Sequence, residues 1–315
     1  MDNERHPSCL GREGDLKAII LAGGIGSRLY PLTSIVCKQL QAVYDKPMIY
    51  YPLTVLVAGG IREFCIVSTP DDLQRFERLL GNGSQWGLSF VYREQARPEG
   101  IAQAFLIAED FIAGENCVLM LGDNIFFGGD AFPRALKDFK SGAMIFAYHV
   151  QDPSNYGVVS FDYTGRANAI EEKPTQPRSN YAVPGIYIYD PQVLEIARSL
   201  KKSPRGELEI TDVNRAYLEK GQLMVRRLSR GVAWLDAGTS SALQDASAYV
   251  QTIERRQGVK IGCPEEAALI RGFLKLEQFE ALLTRMPVCE YRHYLESVAA
   301  EARRLAADRQ DDLLR

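Results

Sequence analysis

The sequence predicts an α/β chain: a Rossmann-like, mostly parallel mixed sheet flanked by helices, with an inserted antiparallel part and a helical C-terminal tail. Three features carry that prediction. From Asp15 to Val150, short apolar runs alternate with amphipathic stretches, the mark of parallel strands joined by helices. A Gly-rich bend follows the first apolar run, as at a ligand-binding strand end. Beyond Val150 the pattern turns to a hairpin, and from Pro264 onward it is helical throughout.

In chain order, Ala18–Ala22 is apolar enough to be a buried central strand, and Gly23, Gly24 and Gly26 form the bend after it. Glu63–Thr69 reads as a second strand, with a helix over Asp71–Leu80, and Leu88–Arg93 as a third. A helix over Ile101–Ile112 would place Ile101, Phe105, Ala108 and Ile112 on one face. Cys117–Leu121 is wholly apolar and stops abruptly at Gly122-Asp123-Asn124. After Ala143–Val150, the arms Gly157–Asp162 and Ala167–Glu172 flank a Tyr163-Thr164-Gly165 turn. Tyr181–Tyr189 reads as one strand carrying Gly185, and a helix near Glu209–Lys220 stops at Gly221. Val232–Leu235 leads into Asp236, and Thr239 is a suitable N-cap for a helix reaching about Arg256. The expected division is a disordered extension at 1–16, a main domain at 17–258 with halves at about 17–150 and 151–238, and a helical segment at 259–315.

Composition narrows the function classes. With 46% hydrophobic and 24% charged residues the chain has the balance of a soluble globular protein. A net charge of −3 supplies no broad basic field, which argues against nucleic acid as a partner. A polyanion site must therefore gather its positive charge locally, which favours a small ligand. The six cysteines show no Cys-x-x-Cys spacing, and Cys65 and Cys117 sit in apolar runs as small core residues would. That usage points to a reducing, cytoplasmic compartment. Cys37 lies beside Lys38, which would favour a reactive thiol, but nothing else in the sequence supports a nucleophile there. The first sixteen residues lack an apolar segment, so no signal peptide is expected, and no apolar run approaches the ~20 residues of a membrane span.

The chemistry gathers at two strand ends. After the first strand, consecutive glycine N–H groups can cradle an anion, while Arg28 and Lys38 add fixed positive charge. The third glycine of a dinucleotide fingerprint is missing, because Leu29 stands there, and no Gly-Lys-Ser/Thr follows. A nucleoside triphosphate fits this loop, and so does an ordinary Gly-rich turn carrying a surface arginine. Asp123 would be delivered to the same edge of the sheet, either as a helix N-cap or as a metal or ligand contact. Ile125-Phe126-Phe127-Gly128-Gly129 does not read as a helix start, which favours the second role.

Eight motifs stand in one order: LAGGIGSRLYPLT, CKQLQAVYDKPMIYYPL, EQARPEGIAQAF, LGDNIFF, NYGVV, EEKP, GELEITDVNRAYLEKG and AWLDAGT. Together they resemble the sugar nucleotidyltransferases, over about Lys17 to Glu301. The resemblance implies transfer of a thymidylyl group from dTTP to a sugar 1-phosphate, glucose 1-phosphate above all, with release of pyrophosphate and use of Mg²⁺. It implies a nucleotide site of Gly23, Gly26, Ser27, Arg28, Lys38, Gln39, Gln95, Gly100 and Asp123. A sugar-phosphate site follows at Asn124, Tyr156, Gly157, Glu172, Lys173, Val183 and Trp234, and a metal pair at Asp123 and Asp236. Arg28, Lys38, Asp123, Lys173 and Asp236 would carry the reaction, in a cytoplasmic homotetramer. Those residue types suit two anions that must be brought together, because positioning and charge neutralisation are then the main tasks.

Several positions depart from the family pattern. Ser27 replaces a common threonine, Gln41-Ala42 a Leu-Pro, Glu99 an aspartate, Pro184 a threonine and Ala237 a threonine; Phe127 and Gly129 stand where tyrosine and histidine are usual. None removes a catalytic side chain. Alternatives are a uridylyl- or cytidylyltransferase acting on another hexose 1-phosphate, and an inactive regulatory homologue, against which the presence of Arg28, Lys173 and both aspartates counts.

Overall fold

The computed structural model describes residues 16–24 and 26–313. The expected N-terminal extension, Leu16 apart, lies outside the described residues.

The strands are β1 Lys17–Leu21, β2 Ala42–Val43, β3 Lys46–Pro47, β4 Glu63–Ser68, β5 Ser89–Glu94, β6 Cys117–Leu121, β7 Asn124–Phe127 and β8 Ala143–His149. They continue with β9 Gly157–Phe161, β10 Ala167–Glu172, β11 Tyr181–Ala182, β12 Ile186–Tyr189, β13 Leu223–Arg227 and β14 Ala233–Asp236. The helices are α1 Tyr50–Ala58, α2 Pro70–Leu80, α3 Gln103–Ile107, α4 Glu109–Ile112, α5 Ala131–Asp138 and α6 Gln192–Ser199. They end with α7 Ile210–Glu219, α8 Ser240–Gln257, α9 Pro264–Ile270, α10 Leu276–Thr284 and α11 Glu290–Leu313.

One large mixed sheet runs β10-β9-β11-β8-β12-β6-β1-β4-β5, with β13 added to β8. The four strands β6-β1-β4-β5 are parallel, whereas β12 pairs antiparallel with both β6 and β8. The unbroken apolar runs of β1 and β6 follow from burial on both faces. Ala18 and Ile20 enter one core with Val118 and Met120, while Ile19 and Leu21 enter the other with Cys117 and Leu119. The C-terminal helices share the first of these cores, through Cys263, Ala267, Phe279, Leu283 and Leu295. Among the described residues no helix is long and apolar enough to cross a membrane.

Two expected elements are broken. The helix over Ile101–Ile112 divides into α3 and α4 at Ala108, whose φ of −98° and ψ of 16° leave the helical region. The strand Tyr181–Tyr189 is interrupted between β11 and β12, where Gly185 donates its N–H to Asn124 Oδ1 at 3.0 Å and Val183 donates to Gly157 O. Val183 thus extends the pairing with β9, whereas the Gly185 N–H leaves the ladder for a side chain on the cavity wall. The reactive reading of Cys37 also fails: the residue is buried, and burial, with Asp72 close by, pushes its thiol up to about 12. Thr239 is the N-cap of α8, accepting from Ala242 N at 3.2 Å.

Candidate active site

A cavity of about 250 Å³ opens at the carboxyl ends of β1 and β6, where the parallel half of the sheet meets antiparallel β12. Gly23, Arg28, Lys38 and Gln39 line one side; Tyr156, Gly157, Glu172, Lys173 and Val183 line the other. Asp123, Asn124, Trp234 and Asp236 form the wall between them.

The two aspartates, far apart in sequence, meet through the short β14–β7 pair. Asp236 lies opposite Asn124 in the register, and Ala237 N approaches Asp123 O at 3.4 Å. Burial would raise the Asp123 carboxyl, but the Lys38 ammonium bonded to its Oδ2 more than offsets this and holds it below the usual range. Asp236 goes the other way. Burial first, and the Asp123 charge second, push its carboxyl up to about 6. Two carboxylates at ~4 Å repel by roughly 4 kcal/mol at an effective dielectric near 20. Such an oxygen-only donor pair suits a hard cation like Mg²⁺, with phosphate oxygens and water filling its other positions. Gln39, only 1% exposed, leaves its Oε1 without a hydrogen-bond partner among the described residues, a further acceptor facing this region.

Asn124 sets the geometry of the wall. Its Oδ1 accepts from Trp234 Nε1 at 2.7 Å and from Gly185 N, while its Nδ2 donates to Asp123 Oδ1 at 3.0 Å. One buried amide thus fixes the indole, the strand break and an aspartate. Gly185 must be glycine, since a Cβ there would stand 2.7 Å from Leu121 Cγ and 2.9 Å from Asn124 Cγ. The cations come from three directions. A Cβ on Gly238 would meet Arg28 Nη2 at 2.8 Å, so the guanidinium lies over the turn after Asp236. Lys173 has a φ of +42°, held by the bond from its N–H to Tyr156 O at 3.0 Å, and its side chain remains half exposed, 3.9 Å from Glu172 Oε1. A non-glycine residue in that region marks a place where the surroundings override a local preference.

Gly26, Ser27, Gln95 and Gly100 stand outside the cavity wall. Gly26 and Ser27 lead into the 3₁₀ turn that carries Arg28. Gln95 is buried against Gly23, where its Oε1 occupies the space a Cβ would need. Gly100 lies against the backbone of Leu208. Sequence reasoning missed Asn155, Tyr187, Thr211 and Asn214, which line the cavity, and Arg205, whose Nη2 reaches within 3.6 Å of Glu172 Oε1. Thr211 and Asn214 lie on α7, which reads by itself as a plain amphipathic helix; their polar side chains on its buried side were the available signal.

The model of the Nucleotidyl transferase family matches residues 17–253. The chain belongs to the nucleotidyl transferase family. Among curated members, it is similar to the glucose-1-phosphate thymidylyltransferase of Mycolicibacterium smegmatis, 53% identical over 89% of this chain and 98% of that protein. It is also similar to the glucose-1-phosphate thymidylyltransferase of Xanthomonas campestris pv. campestris, 50% identical over 90% of this chain and 97% of the relative. Among solved structures, a Bacillus anthracis protein assigned as a glucose-1-phosphate thymidylyltransferase, crystallised with sucrose, superposes with a TM-score of 0.69 at 42% identity. That match covers 74% of this nucleotidyl transferase and 94% of the other chain.

Proposed function

We propose that this protein transfers a thymidylyl group from dTTP to α-D-glucose 1-phosphate, giving dTDP-glucose and pyrophosphate. The observation that carries the reading is the convergence of Arg28, Lys38 and Lys173 with the Asp123–Asp236 pair on one cavity, in a chain about half identical to thymidylyltransferases along nearly its whole length.

An oxygen of the sugar phosphate attacks the α-phosphorus in line, forming a new P–O bond as the bond to pyrophosphate breaks. That oxygen is already ionised, so no general base is required. Lys173 holds the incoming phosphate and offsets its repulsion toward the triphosphate. Arg28 and Lys38 take up the charge growing on the leaving pyrophosphate. The Gly-rich bend after β1, which reaches the cavity at Gly23, cradles the triphosphate through its N–H groups, and Gln39 completes that side. Gly157, Glu172 and Val183 bind the sugar, with Tyr156 and Trp234 packed at 5.0 Å between ring centroids to shape its pocket. Asp123 and Asp236 would hold Mg²⁺, which supplies charge neutralisation at the phosphates when bound.

The test is pyrophosphate release measured across a grid of nucleoside triphosphates and hexose 1-phosphates with Mg²⁺. The pair dTTP and glucose 1-phosphate should give the highest kcat/KM. Silence with every pair, or a preference of tenfold or more for another triphosphate or sugar, would overturn the assignment.

A further inference from the structure

Two loops from opposite sides of the cavity are sewn together outside it. Residues 95–102 lead from β5 toward α3, and residues 200–209 join α6 to α7. Leu208 donates its N–H to Glu99 O at 2.7 Å and accepts from Ala102 N at 3.1 Å. Lys202 Nζ pairs with Glu99 Oε1 at 2.6 Å. Gly100, at a φ of +111°, lies so close that a Cβ would overlap the backbone N and O of Leu208.

The junction continues in both directions. Toward the triphosphate loop, Gln103 Oε1 accepts from Glu99 N at 3.0 Å and from Gln95 Nε2 at 2.7 Å, and Gln95 abuts Gly23. Toward the sugar side, Ser203 Oγ and Arg205 Nη2 bond to Glu209 at 2.7 Å and 2.9 Å. Arg205 then approaches Glu172, which also accepts from Thr211 Oγ1. Contacts therefore lead from Gly23 to Glu172, with close packing at the Gly23–Gln95 step, the chain itself at the Leu208–Glu209 step, and hydrogen bonds or ion pairs at the others. Because one residue carries both backbone bonds of the junction, a shift of either loop must carry the other with it or break those bonds.

We propose that this junction couples the two substrate subsites. A nucleotide that fixes the segment around Glu99–Ala102 also fixes Leu208, and through Arg205 and Glu172 prepares the sugar-phosphate side; linkage makes the effect reciprocal. The proposal rests on the functional reading above, and it makes Lys202 and Gly100 positioning residues.

The experiment is titration calorimetry on the full chain. Glucose 1-phosphate is titrated alone, then with Mg²⁺ and a saturating dTTP analogue whose α,β-bridging oxygen is replaced by methylene. The analogue should tighten glucose 1-phosphate binding by about tenfold. Lys202→Glu, at a half-exposed position, should lower that enhancement by about threefold while each ligand alone binds within about twofold of normal. Combining it with Glu99→Lys should restore the enhancement. Gly100→Ala, which forces the loops apart, should abolish it. Independent binding in the unaltered protein, or an undiminished enhancement in Lys202→Glu, would overturn the coupling and leave the functional reading standing. No binding of the analogue to the unaltered protein would overturn that reading, and the coupling with it.

Discussion

Two of the charge clusters among the described residues are built in opposite ways. In the first, Lys46 and Lys260 face Asp45 and Glu254, joining the β2–β3 hairpin to α8 and the segment before α9. Lys46 Nζ bonds to Asp45 Oδ1 at 2.5 Å and Glu254 Oε1 at 2.9 Å; Lys260 bonds to Asp45 and, at 2.8 Å, to Glu254 Oε2. Charges cancel within the cluster, and Ile261 N adds a further bond to Glu254 at 2.8 Å. The second cluster is the cavity. There Asp236 is pushed up to about 6, Gln39 Oε1 has no partner among the described residues and Lys173 sits at a positive φ. The satisfied cluster holds the fold together. The unsatisfied one leaves interactions for a ligand to complete, as functional sites commonly do.

The sharpest way to break this contrast is at the aspartates. Asp123→Asn or Asp236→Asn should reduce pyrophosphate release by about a thousandfold or more, comparable to losing a central charge-stabilising group. Neither should unfold the protein. A carboxyl whose pKa is raised on folding contributes most below its unfolded value, near 3.8, and loses that contribution as the pH rises through about 6. At pH 7.5, Asp236→Asn should therefore leave the thermal midpoint unchanged or higher. Near-normal turnover in either variant would remove that residue from the metal-binding role.

The satisfied cluster should respond in reverse. Glu254→Ala removes the carboxylate that bonds Lys46, Lys260 and Ile261 N, leaving Asp45 alone to face both lysines, and should cost about 3 kcal/mol of stability in denaturant unfolding. The kcat of the molecules that remain folded should not change; a large fall in kcat with stability intact would erase the distinction between the clusters. Next in size, Arg28→Ala should cost at least ~2.7 kcal/mol in transition-state stabilisation, read from kcat/KM. A loss under threefold would contradict its assigned role.

The smallest expected effect is a pH dependence. Asp45 is raised by burial, but its bonds to Lys260 and Lys46 outweigh this and lower its pKa below 3.8. A depressed carboxyl stabilises the fold above the unfolded value and loses that contribution as the pH falls through the folded one. Asp45→Asn should therefore be less stable than the parent at pH 6, with the gap closing between pH 4 and 2. A gap that holds constant through that range would mean that the ion pairs contribute nothing.

Legibility in the sequence tracked how local each signal is. β1, β4 and β6 could be read from their apolar runs, and Asp123 stood out because it ends one of them. By contrast α1, with Tyr51, Leu53, Leu56 and Val57 buried, shows no polar face to reveal a helical period. β7 and β14 are four residues each, too short to announce themselves as a pair, yet their register is what sets Asp236 beside Asp123. Arg205 and Lys202 look like surface charges until the loop that carries them is seen against Glu99 and Glu172.

The sequence alone determined the alternating α/β plan, the glycine bend with its cations, and the ordered motifs that mark the family. Those features are written in runs of neighbouring residues, where burial on two faces and backbone freedom at glycine act locally. Tertiary structure decided that two carboxylates 113 positions apart share a wall, that a strand opens at Gly185, and that Leu208 locks two loops. Each of these depends on which distant backbone groups find partners, a choice made only when the chain closes on itself and buried polar groups must be satisfied.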